Sequence, residues 1–433
     1  MALPPQMVAP AMGPGGPGMT AEEQMTEVQV PLPGMEELPP GIEIVGEEQL
    51  IEVEAEEYDH NANLAEVLDD SVLGALSSDL GSKVDEDKGS REDWEEAISK
   101  GLTLLGINYE ERSEPFLGSS GVTHPLLSEA VTQFQAQAYK EMLPPGGPVK
   151  TQILGMQTKE VEDQAQRVKD FMNYQITEVM EEFDQDTDQM LFYLPITGST
   201  FKKVYFDPTR QRAVSKFVPA EDLIVPYSAS DLRTAERYTH VVRMSENDIR
   251  KLQVGGVYRD VDLSATEDDE SDSTIRGKAD EIQGLRPGYS DELYTIHEVH
   301  VDLDLEGFED IDEEGEATGI KLPYIVTMDG DSGKILSVVR NYREQDPMRR
   351  KRDYFVHFKF LPGFGFYGFG LLHMIGGLSR AATSILRQLI DAGTLSNLPG
   401  GFKARGVRVR NDDEPINPGE FRDIDVPGGD VRN

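Results

Sequence analysis

Gly363, Gly365 and Gly368 stand in the spacing G-x-G-x-x-G, after a strand-forming run and before a helical one, the context in which such a loop holds a dinucleotide pyrophosphate. The gaps hold Phe364, Phe366 and Tyr367, which would crowd a pyrophosphate, and the acidic residue at about the right distance, Asp391, falls inside the following helix. The string reads as a glycine-rich corner that seats aromatic rings. Asp302, Asp304, Glu306, Gly307 and Glu313 imitate a Ca²⁺-binding loop, but Glu306 at its fifth position, Glu309 at its eighth and a strand-like YTIHEVHV before it depart from the pattern. That segment reads as a solvated acidic loop. Gly330-Asp331-Ser332-Gly333 resembles a serine-protease nucleophile segment, yet it lies between two β runs, where such residues supply a hairpin turn. Tyr294, His297 and His300 could form part of a metal cluster only if both histidines shared a face, and in a strand they point opposite ways. No nucleophile, base and orienting group form a recognisable constellation, so no catalytic residue, metal ligand or cofactor is expected.

Two groups of cations stand out. Arg349, Arg350, Lys351 and Arg352 read as a solvated turn between strands. Lys403, Arg405, Arg408 and Arg410 alternate with small and apolar residues on an expected β ribbon, where they suit a partner or phosphate contact.

The elements that must position these residues follow from composition and periodicity. The chain has 433 residues, 41 Lys+Arg against 80 Asp+Glu, a formal charge of −39 and no cysteine. That field argues against gripping nucleic acid or anionic lipid through overall charge, and a disulfide framework is excluded. No apolar run approaches the length of a membrane span, and the proline-broken N-terminus is no signal peptide. The first 100 residues carry 24 acidic and 4 basic side chains, and nine prolines fall within the first 40. Residues 1–88 are therefore predicted to be an acidic, largely disordered segment with one short helix over 64–80, and order is predicted to begin near Ser90.

Three helices are predicted next, from about Ser90, from about Pro125 to the stop at Pro144 and Pro145, and along the stripe Val161, Ala165, Val168, Met172, Ile176, Val179 and Phe183, read as a core face. From about Leu191, short β-branched and aromatic runs predict antiparallel strands in two blocks. One long helix is predicted over 367–395, with Leu371, Ile375, Leu378, Ala382, Ile385 and Leu389 in a stripe roughly 40 Å long. The fold class is α+β.

Several long strings, in order over about 90–410, resemble the portal proteins of short-tailed bacteriophages, in the group typified by the Salmonella phage with a large portal. They include SREDWEEAISKGLTLLG, GVTHPLLSEAVTQFQAQAYKEMLPPGGPV, QAQRVKDFMNYQITEVMEEFD, LPITGSTFKKVYFDP, FVPAEDLIVPYSASDLRTAERYTHVVRM, YFVHFKFLPGFGFYGFGLLHMIGG and RQLIDAGTLSNLPGGFKARGV. The resemblance implies a helical and antiparallel-β wing over 89–362, a stem helix over 363–398 and the start of a β-containing clip over 399–433. It implies a subunit of a twelve-membered ring at one capsid vertex, a conduit for DNA packaging and ejection that is not itself an enzyme. Its implied partners are further copies of itself, the terminase large subunit, capsid and scaffold proteins, tail or head-completion proteins and the double-stranded DNA in the channel, with no membrane. Its place would be the virion, after assembly in the host cytoplasm. Leu371, Ile375, Leu378, Ile385 and Leu389 are then expected to face protein, with Ser379, Thr383 and Arg387 nearer the lumen or a neighbouring subunit, and Lys403, Arg405, Arg408 and Arg410 to belong to the clip. Relatives continue through a second stem helix, a tunnel loop and a helical crown, so the sequence is expected to be a truncated or split form or a fragment. The alternatives are a nucleotide-binding enzyme using Gly363–Gly368, or another acidic phage assembly protein such as a scaffold or tail adaptor.

Overall fold

A computed structural model describes residues 59–107, 111–208, 210–263, 273–285, 293–311 and 317–397. Of the described residues, 45% are helical and 20% lie in strands, an α+β fold of helices and antiparallel sheets. The expected clip, with Lys403, Arg405, Arg408 and Arg410, lies outside the described residues.

Five strands form one sheet in the order β3 (Leu223–Ile224), β4 (Arg237–Ser245), β5 (Leu293–Leu303), β6 (Leu322–Asp329) and β7 (Ile335–Arg340), every neighbouring pair antiparallel. A smaller sheet has the order β2 (Arg212–Pro219), β1 (Ser199–Asp207) and β8 (Phe355–Lys359), also antiparallel. Strand alternation sorts β5 into two faces. Val299 and Val301 join one core with α1 (Asp70–Ser90), while Glu298 and His300 point to the other side.

The prediction that 1–88 is largely disordered is corrected for residues 59–88. Leu73, Leu76, Leu80 and Val84 are buried along one side of α1, in one cluster with Val326 and Val338 of the large sheet. Asp87 binds Arg237 of β4 through two hydrogen bonds of 2.8 Å. The acidic composition hid a four-member apolar stripe, whose burial offsets the ordering cost that a solvated acidic segment could not meet.

The helical layer begins with α2 (Glu92–Leu102) and α3 (Leu126–Met142), whose Ile98, Leu127 and Val131 form a second core with Leu372 of α8 (Leu371–Asn397). The third predicted helix is broken. α4 (Lys159–Tyr174) passes into a π turn at Gln175–Val179, and α5 (Phe183–Thr197) follows, extending helix through the residues at which strands were expected to start. α4 buries no residue. Its predicted core face is corrected, because Val161, Val168 and Met172 lie at the surface together with Phe171. Helical periodicity identifies an apolar stripe but not what covers it. α6 (Glu246–Val254) and α7 (Thr274–Gln283) complete the layer.

Candidate functional site

α8 is 27 residues long, about 40 Å, and hangs from the connection between β8 and its own first turn. Gly368 and Gly370 of that connection pack against Gly198, which joins α5 to β1. A Cβ on Gly198 would lie 2.4 Å from the Gly368 carbonyl oxygen, and one on Gly370 would lie 2.4 Å from the Ile196 carbonyl oxygen. The end of α5 and the start of α8 therefore cross backbone to backbone. The amide of Gly368 donates to Ser199 Oγ at 2.8 Å, and Leu361 and Phe369 exchange backbone hydrogen bonds. The aromatics between the glycines are seated as the sequence suggests. Phe366 stacks on His357, Tyr367 stacks on Trp94 at 4.3 Å, and the Tyr367 hydroxyl accepts from Arg91 at 3.1 Å. Phe364 is fully exposed. The Gly368, Phe369 and Gly370 amides all donate within the chain, so these three are not free for a pyrophosphate.

Beyond this corner, small and polar side chains press α8 onto its own chain. Ser379 is fully buried and Thr383 is 7% exposed. Thr383 Oγ1 accepts from the His124 amide at 3.0 Å, and Asp391 Oδ1 accepts from the Ser120 amide at 2.7 Å. Arg387 donates to the Val122 carbonyl at 2.7 Å and to Thr123 Oγ1 at 3.2 Å. The loop before α3 is thus tied along the helix by side chains that a stem lumen was expected to claim.

Ser379, Thr383 and Arg387, expected nearer the lumen or a neighbouring subunit, lie against this chain instead, Thr383 and Arg387 on the loop before α3. Leu378, Ile385 and Leu389, expected to face protein, are 65%, 66% and 69% exposed, so their own chain does not cover them. Only Leu371 and Ile375, at the first turns, pack partly against the helical core. The short Thr383 side chain lets the loop backbone come close enough to donate the His124 amide, and Leu or Ile there would leave that amide unsatisfied. Met374, Leu378, Ala381, Ile385 and Leu389 form the outer stripe, stepping 4, 3, 4 and 4. Gly377, Ser384, Gln388, Ala382 and Leu386 border it, so neither the stripe nor its margins carry a charge.

A cleft of about 970 Å³ runs beside α8 between the 102–107 turn, the 112–123 loop and α7. Arg112, Lys278 and Arg380 stand at its wall with Phe116 and Leu395. In the other basic cluster Arg349 pairs with Asp310, Arg350 pairs with Asp346 at 2.9 Å, and Lys351 donates to the Ala235 carbonyl at 3.1 Å.

A polar group that the sequence did not flag joins the two sheets. Glu298 of β5 bonds Lys203 of β1, His240 Nδ1 of β4 at 3.3 Å and His300 Nε2 at 3.0 Å. Burial pushes the Glu298 carboxyl up, but the Lys203 ammonium and the two imidazole hydrogen bonds outweigh it and hold the group well below the usual carboxylate range. Burial pushes both imidazoles down. The group is a neutralising brace between sheets. Alternation in EVHV placed Glu298 and His300 on one face, but only tertiary pairing shows that Lys203 and His240 meet them.

His357 Nε2 lies 3.1 Å from Ser199 Oγ, a pair with the look of a nucleophile and base. Ser199 is fully buried beneath the glycine corner, and burial together with Lys359 pushes His357 down to about 3. The pair braces β1 against β8. Gly330-Asp331-Ser332-Gly333 forms the expected β6–β7 hairpin, with Gly333 at φ +69° and Ser332 bonded to Asp329. His297 and His300 point to opposite faces of β5, and no group of three or more His, Asp or Glu arranged to hold a metal occurs among the described residues.

No protein-family model matches the chain, and no curated protein matches it in sequence.

Proposed function

We propose that this chain is a subunit of a phage portal ring, the conduit at one capsid vertex through which DNA is packaged and later ejected. The reading rests on the resemblance of its long sequence strings, and one structural observation carries it further. That observation is α8, a helix of about 40 Å anchored on one side by loop amides and presenting an uncharged apolar stripe on the other. An exposed stripe of this length on a chain of −39 is a surface that calls for a protein partner, and the uncharged face is where a second copy meets the least electrostatic repulsion. In this reading α8 is the stem helix, the sheets and remaining helices are the wing, and 399–433 opens the clip, where Lys403, Arg405, Arg408 and Arg410 face the motor or phosphate. Leu378, Ile385 and Leu389 contact neighbouring subunits rather than the chain's own core. The terminase large subunit, capsid and scaffold proteins and tail proteins dock on the ring, in the virion. The subunit supplies passage and not chemistry. A strongly acidic conduit suits that task, because each phosphate neutralised by a cation would add binding free energy that slows sliding.

Leu378→Asp tests the assignment of the outer stripe. The substitution lies at the surface of the isolated subunit, so the fold should survive with an unchanged far-UV spectrum while rings vanish from negative-stain images. Rings formed equally well by Leu378→Asp would remove α8 from the subunit contact.

A further inference from the structure

We propose that the cleft beside α8 binds an extended acidic peptide segment of a partner protein, its carboxylates meeting Arg380 and Arg112 and its aliphatic side chains the apolar wall. The inference does not rest on the ring reading. Shape is the first observation. The α8 residues at the wall run from Arg380 to Leu395 and recur every three or four positions, so the cleft follows one continuous face of the helix for about 22 Å. Leu378 and Ile385 of the outer apolar stripe are not part of that face. An extended chain rises about 3.3 Å per residue, so roughly seven residues fill this length.

The walls differ in character. α8 lines the cleft with Arg380, Ser384, Arg387 and Gln388, whereas the 102–107 turn brings Leu102, Leu104 and Ile107, and α7 adds Ile282. Successive side chains of an extended peptide point to opposite sides, so alternating acidic and aliphatic residues set each kind against the wall that suits it. Charge then selects the acid. Arg112, Lys278, Arg380 and Arg387 stand against Glu281 and Asp391 among the described lining residues, an excess of cations in a chain of −39. Both carboxylates are engaged within the chain, Glu281 with Lys278 at 2.6 Å and Asp391 with the Ser120 amide at 2.7 Å. Arg112 donates to a neutral oxygen, the Ser120 carbonyl at 3.4 Å, and the exposed Arg380 side chain makes no hydrogen bond or ion pair among the described residues. Two guanidinium forks are thus left without a carboxylate, the group they bind best in a bidentate pair. A nucleic-acid strand suits the cleft less well. Phe116 is the only aromatic ring among the described lining residues, whereas grooves that track a single strand stack several bases on aromatic side chains, and Glu281 and Asp391 would face phosphate.

Peptide capture on the immobilised full-length chain tests the assignment. One pool holds heptapeptides in which Asp or Glu alternates with Leu, Ile or Val, and a second pool has Asn and Gln in place of the acids. Wild type should retain the acidic pool and not the amide pool, and more weakly as salt is raised. Arg380→Glu alters an exposed, unpaired side chain, so the far-UV spectrum should be unchanged while retention falls about tenfold or more. Arg350→Glu, in the other basic cluster, should retain the acidic pool like wild type. Leu378→Asp should do so too, because the outer stripe is not part of the cleft, and the ring reading and this one therefore fail separately. Equal retention of both pools, no retention of the acidic pool at millimolar concentration, or the same loss from Arg350→Glu as from Arg380→Glu would overturn the proposal. Retention of a single-stranded oligodeoxynucleotide in preference to the acidic pool would overturn it as well.

Discussion

Glu298 sits where two sheets meet, and its three partners come from three strands, so its removal is felt in both sheets. Glu298→Ala leaves the Lys203 ammonium near two imidazoles with no counter-charge, a change expected to cost about 3 kcal/mol in chemical denaturation. A loss below about 1 kcal/mol would show that the brace does not hold the sheets. Glu221 titrates in the opposite sense to the histidines. Burial, with Asp222 beside it, pushes its carboxyl up to about 7, from 4.5 in the unfolded chain. A group with its folded pKa raised contributes stability that is present below the unfolded value and lost as pH rises through the folded one. Glu221→Gln should therefore be nearly neutral at pH 4.5 and stabilising by up to about 3 kcal/mol at pH 8, read from urea midpoints. His240, His300 and His357, all pushed down by burial, lose stability as pH falls below about 6.5, but they are present in both proteins and cancel in the difference. A gain that is equal at both pH values would mean that the Glu221 carboxyl is not desolvated.

The seat of α8 is set by glycines at a backbone crossing, and two substitutions separate that role from phosphate binding. Gly370→Ala places a Cβ 2.4 Å from the Ile196 carbonyl and 2.7 Å from the Pro195 carbonyl, and it should destabilise by about 3 kcal/mol or more. Gly365→Ala meets nothing within 4 Å and should change the thermal midpoint little. A nucleotide loop would show its largest effect at Gly365 instead, so equal tolerance at both positions would argue against the crossing. Much of this was legible beforehand. The strand runs, the hairpin at Gly333, the aromatic corner and the long helix follow from alternation, turn chemistry and period. What the sequence could not settle was which side of a helix its own chain covers. Ser379 and Thr383 were expected nearer a lumen or a neighbouring subunit, yet both are buried within the chain and Thr383 accepts from the packed loop, while Leu378 and Ile385, expected to face protein, are left bare by their own chain. The same ambiguity misassigned α4. In the first 88 residues the reverse occurred, since net acidity masked the stripe of Leu73, Leu76, Leu80 and Val84 that pins α1 to the sheet.

At the scale of the molecule, an α+β body carries a long helix with one face spent on its own chain and one face unspent, within a chain of net charge −39. Repulsion between copies must be overcome by burying that uncharged face, so assembly should strengthen as salt screens the remaining charge. The central claim is that copies of this chain close into a ring, and native mass measurement of the purified protein between 0.05 and 0.3 M salt, concentrations spanning Debye lengths of roughly 14 to 6 Å, tests it directly. A ring of twelve predicts a single dominant species of about 580 kDa, twelve times the 48.1 kDa chain, with its share growing as salt is raised. A protein that remains at 48.1 kDa throughout, or that forms only an open series of sizes, would contradict it.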